Sequence, residues 1–442
     1  MRKFILCLIV LCLVVVGLGS FATAQTDPHN QSAHDAMNMP DMNMEMSDNA
    51  PDWMPSAHVS SGTGWQPAAT AGHLWMRSLA GWDLMAHGVV FVDYNHQGGP
   101  RGEGKAESVN WAMLMEQHTL GGGTILFRQM LSAESLTSPH PGFPELFQTG
   151  ETYHGQPLVD HQHPHNVFSE LALEYTRPIA GKLSWLFYGA AAGEPALGPV
   201  AFVHRASASE LPMAPLSHHL QDSTHISFGV LTAGLVMDRL KIEGSVFNGR
   251  EPDERRYSIQ FAALDSWSAR LSAAISRNWT AQYSYGRLEH PEALEPGSQR
   301  RQTASVEYVL PFAAGMLGPG SWSTSAVWGR VHKDFNDHTL NGYLLESTLN
   351  FKTRNYAFSR LELVDKDELF PSDPSEPSFR IGAYTFGGER DLIQRRLWQL
   401  AFGADLTFYS KPSSLNMSYG TNPVSFQLFL RVRPGAANHR KH

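Results

Sequence analysis

Histidine is the residue type whose placement in this chain points most directly to chemistry. Eight of the 21 histidines fall between His154 and His225. The densest run is Asp160-His161-Gln162-His163-Pro164-His165-Asn166. In an extended segment alternate residues share a side, so His161, His163 and His165 point one way and can share one ion. Neutral imidazole suits Cu(II), Zn and Ni, and Asp160 can add an oxygen ligand. Downstream, His204, His218, His219 and His225 complete a site if the loops that carry them fold together. The structural alternative is that these histidines hydrogen-bond loops closed over a lumen.

A second group is soft. Met37, Met39, Met42, Met44, Met46 and Met54 lie near His29, His34 and His58 in a polar stretch. Thioethers favour Cu(I) or Ag(I) over Zn or Mg. Asn, Asp, Pro and Glu interrupt them throughout, so they form no core stripe; the inert alternative is a tether of biased composition. Cys7 and Cys12 are the only cysteines, and both fall in the first apolar segment. That leaves no disulfide or thiolate in the mature chain, and methionine, whose oxidation is reversible, is the soft ligand that remains.

Two further constellations carry weaker signals. Glu170, Glu174, Glu243, Glu307, Glu346, Arg360, Glu362, Arg380, Asp405 and Arg431 sit on strand-like segments. They either line a wet lumen, where charge sets selectivity, or pair across a plugged interior. Asp222, Ser223 and His225 are near in sequence, and Ser217 precedes His218. Catalytic triads are defined by geometry rather than adjacency, so a barrel hydrolase is a remote alternative and no enzyme is expected.

The elements that must position these residues are legible in the pattern. Arg2 and Lys3, the apolar run Phe4 to Leu18, and Ala22-Thr23-Ala24 read as a cleaved signal peptide over 1–24. Residues 25–80 read as a disordered, Met/His-rich periplasmic arm, too polar and Pro-rich to offset ordering entropy. From about Trp82 the period becomes two: Leu240, Ile242, Gly244 and Val246 alternate with Lys241, Glu243, Ser245 and Phe247. No segment after the signal approaches ~18 uninterrupted apolar residues, so any membrane insertion uses strands. Many alternating runs match the ~9–11 residues of a tilted spanning strand.

Connection lengths agree. Short links at Leu120–Gly123, Pro178–Lys182, Met237–Arg239, Arg277–Asn278 and Lys352–Asn355 alternate with long ones such as Glu134–His165 and Gly193–Thr224. The expectation is an all-β chain, an antiparallel transmembrane β-barrel of roughly 14–16 strands (range 12–18) over 81–433, with a tail over 434–442. Strand spacing is too uneven for a propeller. The formal charge of −8 is spread along the chain without a basic cluster, which argues against nucleic acid. Departing from the usual aromatic ending of such barrels, PGAANHRKH follows Arg433.

The stretches VDHQHPHN, GEPALGPVAFVHRASA, APLSHHLQDSTHI, EGSVFNGREPDE, LDSWSARLS, HPEALEP and LESTLNF, spanning about 157 to 350, resemble a family of uncharacterised bacterial proteins predicted to sit in the outer membrane. FSRLELVDKDELF extends the likeness to 370. Where the family's histidine run commonly ends in Asp, this chain has Asn166, which removes one anionic ligand. The arm is similar, in composition only, to that of copper-resistance B-type outer-membrane proteins. The first resemblance implies an outer-membrane barrel; the methionines, the histidines and the arm's likeness lead to the expectation that it binds soft or borderline metal, copper as Cu(I) or Cu(II), for efflux, sequestration or resistance. The alternative is a general or solute-specific porin with no metal role. Expected partners are outer-membrane lipid and metal ions or small solutes.

Overall fold

The computed structural model describes residues 51–375 and 377–435. The expected signal peptide, Met37, Met39, Met42, Met44 and Met46, and the end of the tail lie outside the described residues. Twenty strands follow in chain order: β1 (Leu74–Leu79), β2 (Trp82–His96), β3 (Gly104–Glu107), β4 (Asn110–Leu120), β5 (Gly123–Leu131), β6 (Phe143–Tyr153), β7 (Gln156–Gln162), β8 (Phe168–Ala180), β9 (Leu183–Gly193) and β10 (Ser227–Met237). Then come β11 (Leu240–Phe247), β12 (Ser266–Ser276), β13 (Trp279–Glu289), β14 (Ser298–Phe312), β15 (Gly320–Lys333), β16 (Thr339–Phe351), β17 (Asn355–Lys366), β18 (Phe379–Gln394), β19 (Trp398–Ser410) and β20 (Val424–Pro434).

Antiparallel neighbours run from β2 around to β20, and β20 pairs back onto β2 through Val90↔Val432 and His96↔Phe426. Eighteen strands share this sheet, while β6 and β7 form a separate hairpin. With β3 and β4 taken as one interrupted strand and β1 set apart at the seam, the wall is a closed barrel of 16 strands. β1 is set apart because it shares an edge of β2 with β20. It pairs Leu74↔His87 to Leu79↔Trp82, below the place where β20 ends.

The alternation is inverted relative to a soluble sheet. On β11, Leu240, Ile242 and Val246 are 45%, 49% and 45% exposed, while Lys241 and Glu243 are 1% and 2% exposed. Apolar side chains outside and charge inside is what a lipid-facing wall around a polar lumen requires. At ~45° tilt, eleven-residue strands such as β12 and β13 cover about 25 Å, the height of a lipid-facing band. Aromatic residues mark both rims: Trp279, Tyr308 and Trp322 are in ring contact in sequence at one end, and Trp267 meets Tyr285 at the other. Links at the first rim are two- or three-residue turns except for 313–319, and most at the second are longer loops.

One expected boundary is corrected. Of the arm placed at 25–80, residues 74–79 are strand β1, and Ser60, Ser61, Thr63 and Gln66 are buried. The composition argument assumes an apolar interior. A lumen lined with charge can hold a polar segment, because the hydrogen bonds it gives up to water are replaced there.

Candidate functional site: two lumen inserts and a histidine cap

The strand charges read from the sequence line the lumen, and most of them are paired; among the described residues Glu307 and Asp405 have no ion pair. Arg128 bonds Glu174 at 2.7 Å, Arg270 bonds Glu243 at 3.2 Å and Arg360 bonds Glu346 at 3.1 Å. Arg431 bonds Glu389 and Asp391 at 2.6 and 2.7 Å. Arg380 differs: its side chain is 56% exposed and pairs with Asp365 near the loop rim.

Two inserts fill the space between these charges. Residues 53–73 rise from the short-turn end, where Arg239 lies over the Trp53 ring at 4.7 Å. The Gly62 amide donates to Glu170, Arg270 donates to the Thr63 hydroxyl, and Lys241 donates to the Thr63 carbonyl. The segment then returns, its Ala69 amide donating to the Arg277 carbonyl in a short turn. Gly62 is at φ +56°, and a Cβ there would stand 2.7 Å from the Glu194 Cβ, so only glycine passes at this point.

The second insert is the loop 194–226. Its Arg205 has a fully buried side chain and bonds Asp222 and Glu346, each at 2.7 Å. Glu210 takes Arg433 at 2.8 Å and Arg431 at 3.1 Å. The Ser217 amide and hydroxyl both donate to Glu362. The inserts meet midway: Ser61 donates to Glu194, Gln66 donates to the His204 carbonyl, and the Ala206 amide donates back to Gln66. Above them, Leu146 and Phe147 of β6, Leu216 and Leu220 of the loop, and Leu415 and Tyr419 pack with wall residues Val331, Leu340, Val364 and Ile381 into an apolar core inside the mouth. The cavities beside the inserts are small. One near Arg360 and Asp405 measures about 40 Å³ and another near Trp65 and Glu307 about 10 Å³, enough for a few waters.

The histidines divide into those the fold gathers and those it separates. His163, His165, His218, His219 and His225 form one chain of ring contacts. The centroid distances are 5.6 Å for His163–His219, 5.2 Å for His218–His219, 5.1 Å for His218–His225 and 5.2 Å for His165–His225. Gly150, at φ +107°, leaves the room that the His219 ring fills. His161 turns away to Glu103 and the Val159 carbonyl, so the run does not put three imidazoles on one side. The reason is local: β7 ends at Gln162, so His163 and His165 lie beyond the extended segment and the alternation does not reach them. Asp160 itself is taken by Arg101 at 2.7 Å and by the Phe147 amide. His204 packs elsewhere, against Trp111 and His87. Among the described residues no three of these side chains, with or without Asp and Glu, already stand in ligating geometry.

Burial holds most of the cluster neutral. It pushes the His218 imidazole down to about 4 against the pull of Asp222, and the His219 imidazole down to about 3. His225 is driven well below its ordinary value by burial and by His218. Burial alone would lower His165 as well, but Glu134 at 2.8 Å outweighs it and raises the group. Glu251, 3.8 Å from the His219 ring, is pushed up to about 7 by burial and by Glu151. Sequence reasoning missed Glu134, Glu151 and Glu251, which lie far along the chain from the histidines they face.

The hydrolase constellation is not assembled. His225 Nδ1 bonds the Asp222 carbonyl oxygen, Ser223 receives Arg301, and Ser217 donates to Glu362 and Gln221. Among the described residues no hydrogen bond joins either serine to a histidine.

No protein-family model matches the chain, and no curated protein matches it in sequence. Solved structures similar in shape include an anion-selective porin from Comamonas acidovorans at 9% identity, over 79% of this chain and 99% of that one, with a TM-score of 0.49. Salmonella typhi OmpF, in complex with daunomycin, matches at 10% identity over 81% and 100%, TM-score 0.49. The outer membrane channel DcaP of Acinetobacter baumannii matches at 10% identity over 80% and 99%, TM-score 0.47. The barrel assignment rests on the closed strand pairing and the inverted exposure of its faces, not on these likenesses.

Proposed function

We propose that the protein is an outer-membrane channel for small solutes whose lumen, in this state, is closed by two inserts. The observation that carries the reading is the polar, charge-lined interior filled by a segment that enters from the short-turn end. Short turns face the periplasm in such barrels, so the removable part of the closure is on the periplasmic side. A cross-link tests it. A Cβ on Gly64 would lie 3.8 Å from the Val200 Cβ, the usual spacing across a disulfide. Gly64→Cys with Val200→Cys in the signal-cleaved chain should form one bond tying the inserts together. Planar-bilayer conductance should be near zero oxidised and should rise on reduction. Equal conductance in both states would remove the N-terminal segment from gating.

A second reading keeps the metal chemistry of the sequence: Met37, Met39, Met42, Met44 and Met46 as Cu(I) donors, serving copper efflux, sequestration or resistance. Its support is the composition of the arm and the gathering of five histidines in the loop cap. Titration with Ag(I), with and without residues 25–50, tests it; equal uptake by both chains would end it.

A further inference from the structure

Three of the gathered histidines have Nδ1 held by an acceptor and no hydrogen-bond partner on Nε2 among the described residues; His163 also has Nδ1 on a carbonyl, but Glu151 takes its Nε2. His165 Nδ1 bonds Glu134 at 2.8 Å, His218 Nδ1 bonds Asp222 at 2.6 Å, and His225 Nδ1 bonds the Asp222 carbonyl at 2.8 Å. Each acceptor places the ring proton on Nδ1 when the imidazole is neutral, which leaves Nε2 with its lone pair. The Nε2 atoms of His165 and His225 are buried and have no partner among the described residues. A histidine kept only for packing avoids that arrangement, whereas a metal-binding histidine adopts it: its second nitrogen is held by a carboxylate or carbonyl that fixes tautomer and ring orientation.

Spacing agrees for two of the three ring pairs, both through His225, and the surroundings agree. The His225 ring lies 5.2 Å from His165 and 5.1 Å from His218. Two imidazoles bound to one ion through nitrogens at ~2.0–2.1 Å stand about 5 Å apart, centre to centre. Phe202 packs against all three rings, giving the site one dry wall. His161 and His204 have no part in it.

We propose that His165, His218 and His225 form a three-imidazole site for one borderline divalent transition-metal ion of the Zn(II) type. The ion draws the three Nε2 atoms together through small rotations about Cβ–Cγ, a torsion with broad wells. His219 is the nearest further donor: among the described residues neither of its ring nitrogens has a hydrogen-bond partner, and its ring is 5.2 Å from that of His218. Because His165 follows the β6–β7 hairpin and the other two belong to the loop 194–226, the ion staples these two loops over the lumen. The site shares only the histidine cluster with the metal reading above; a failed Ag(I) titration of the arm leaves it standing, and it does not depend on the lumen opening.

Zn(II) alone is the probe, since thioethers compete for it poorly and the mature chain has no thiolate. Titrated into the refolded full-length barrel against a chromophoric chelator, Zn(II) should bind at one equivalent. His165→Ala, His218→Ala and His225→Ala should each weaken binding more than tenfold, and Glu134→Gln, which removes an outer partner, by about 10–100-fold. His161→Ala and His204→Ala should leave it unchanged. Equal binding by the wild type and the triple alanine variant, or equal losses at His161 and His204, would overturn the site. The unaltered protein supplies a check that needs no substitution: Co(II) at one equivalent should give the intense visible bands of a four-coordinate site. Weak six-coordinate bands alone at every ratio would refute it.

Discussion

The two inserts meet in the middle of the barrel but are held by different forces. The loop 194–226 brings its own charges: Glu194, Arg205 and Glu210 face wall charges that are also buried, and Asp222 pairs with Arg205 within the loop. Between Trp53 and His73 the N-terminal segment carries no Asp, Glu, Lys or Arg at all. It offers backbone groups and hydroxyls, and the wall does the charging through Glu170, Lys241 and Arg270. Withdrawing the loop exposes several buried ion pairs at once, whereas withdrawing the segment breaks hydrogen bonds with one charged partner each. The loop is therefore the fixed part of the closure and the segment the part that can leave.

The sharpest way to break this contrast is Arg205→Met. It leaves Asp222 and Glu346 short of their buried partner, and breaking such a pair costs about 3–5 kcal/mol. The variant should lose that much in denaturant unfolding and should conduct without any stimulus. Lys241→Met is expected to do less. It removes one charged donor to the Thr63 carbonyl and the cation over Trp65, a loss of about 1.5–3 kcal/mol. Here the effect should appear as protease sensitivity of residues 53–73 with the barrel intact.

Acid should act on the joint between the inserts. Burial, His87 and Arg128 hold the His204 imidazole well below its ordinary 6.5, so the released state binds the proton first. Seating is thus complete above pH 6.5 and weakens as pH falls below it, by about 1.4 kcal/mol per unit. Conductance that rises between pH 6.5 and 5, and rises less in His204→Gln because burial also lowers His58 and His73 of the segment, is the expected result. At the small end, Lys182–Asp238 joins two short turns with the lysine side chain 75% exposed. Lys182→Ala should change stability by less than about 1 kcal/mol, which would separate lumen pairs from rim pairs.

The wall was legible in the sequence because its period is two and its turns are short. Leu240 to Phe247 shows both faces of the barrel in eight residues. The seating of 53–73 was not legible. A polar, Gly- and Ser-rich stretch reads as unable to bury itself, and nothing local reveals that its partners are the charges of β8, β11 and β12. The histidines were legible as a group but not in their grouping. Alternation put His161, His163 and His165 together, but β7 ends at Gln162, between the first of them and the other two. His218 and His225 joined His165 only through the folding of a second loop, which no spacing within one segment can encode.

The position of β1 has a consequence for assembly. The pairing that closes the barrel joins β2 to β20, strands from opposite ends of the wall's sequence, and until it forms β2 presents an open edge. An exposed edge of that kind templates pairing with other chains. β1 is a hairpin neighbour of β2, two residues away, and covers Trp82 to His87 on the microsecond timescale of local hairpins. Half of the vulnerable edge is thus occupied early, and β20 needs to find only the stretch from Val90 to His96. The strand that leads out of the lumen also acts as a guard against edge-to-edge aggregation while the barrel is still open.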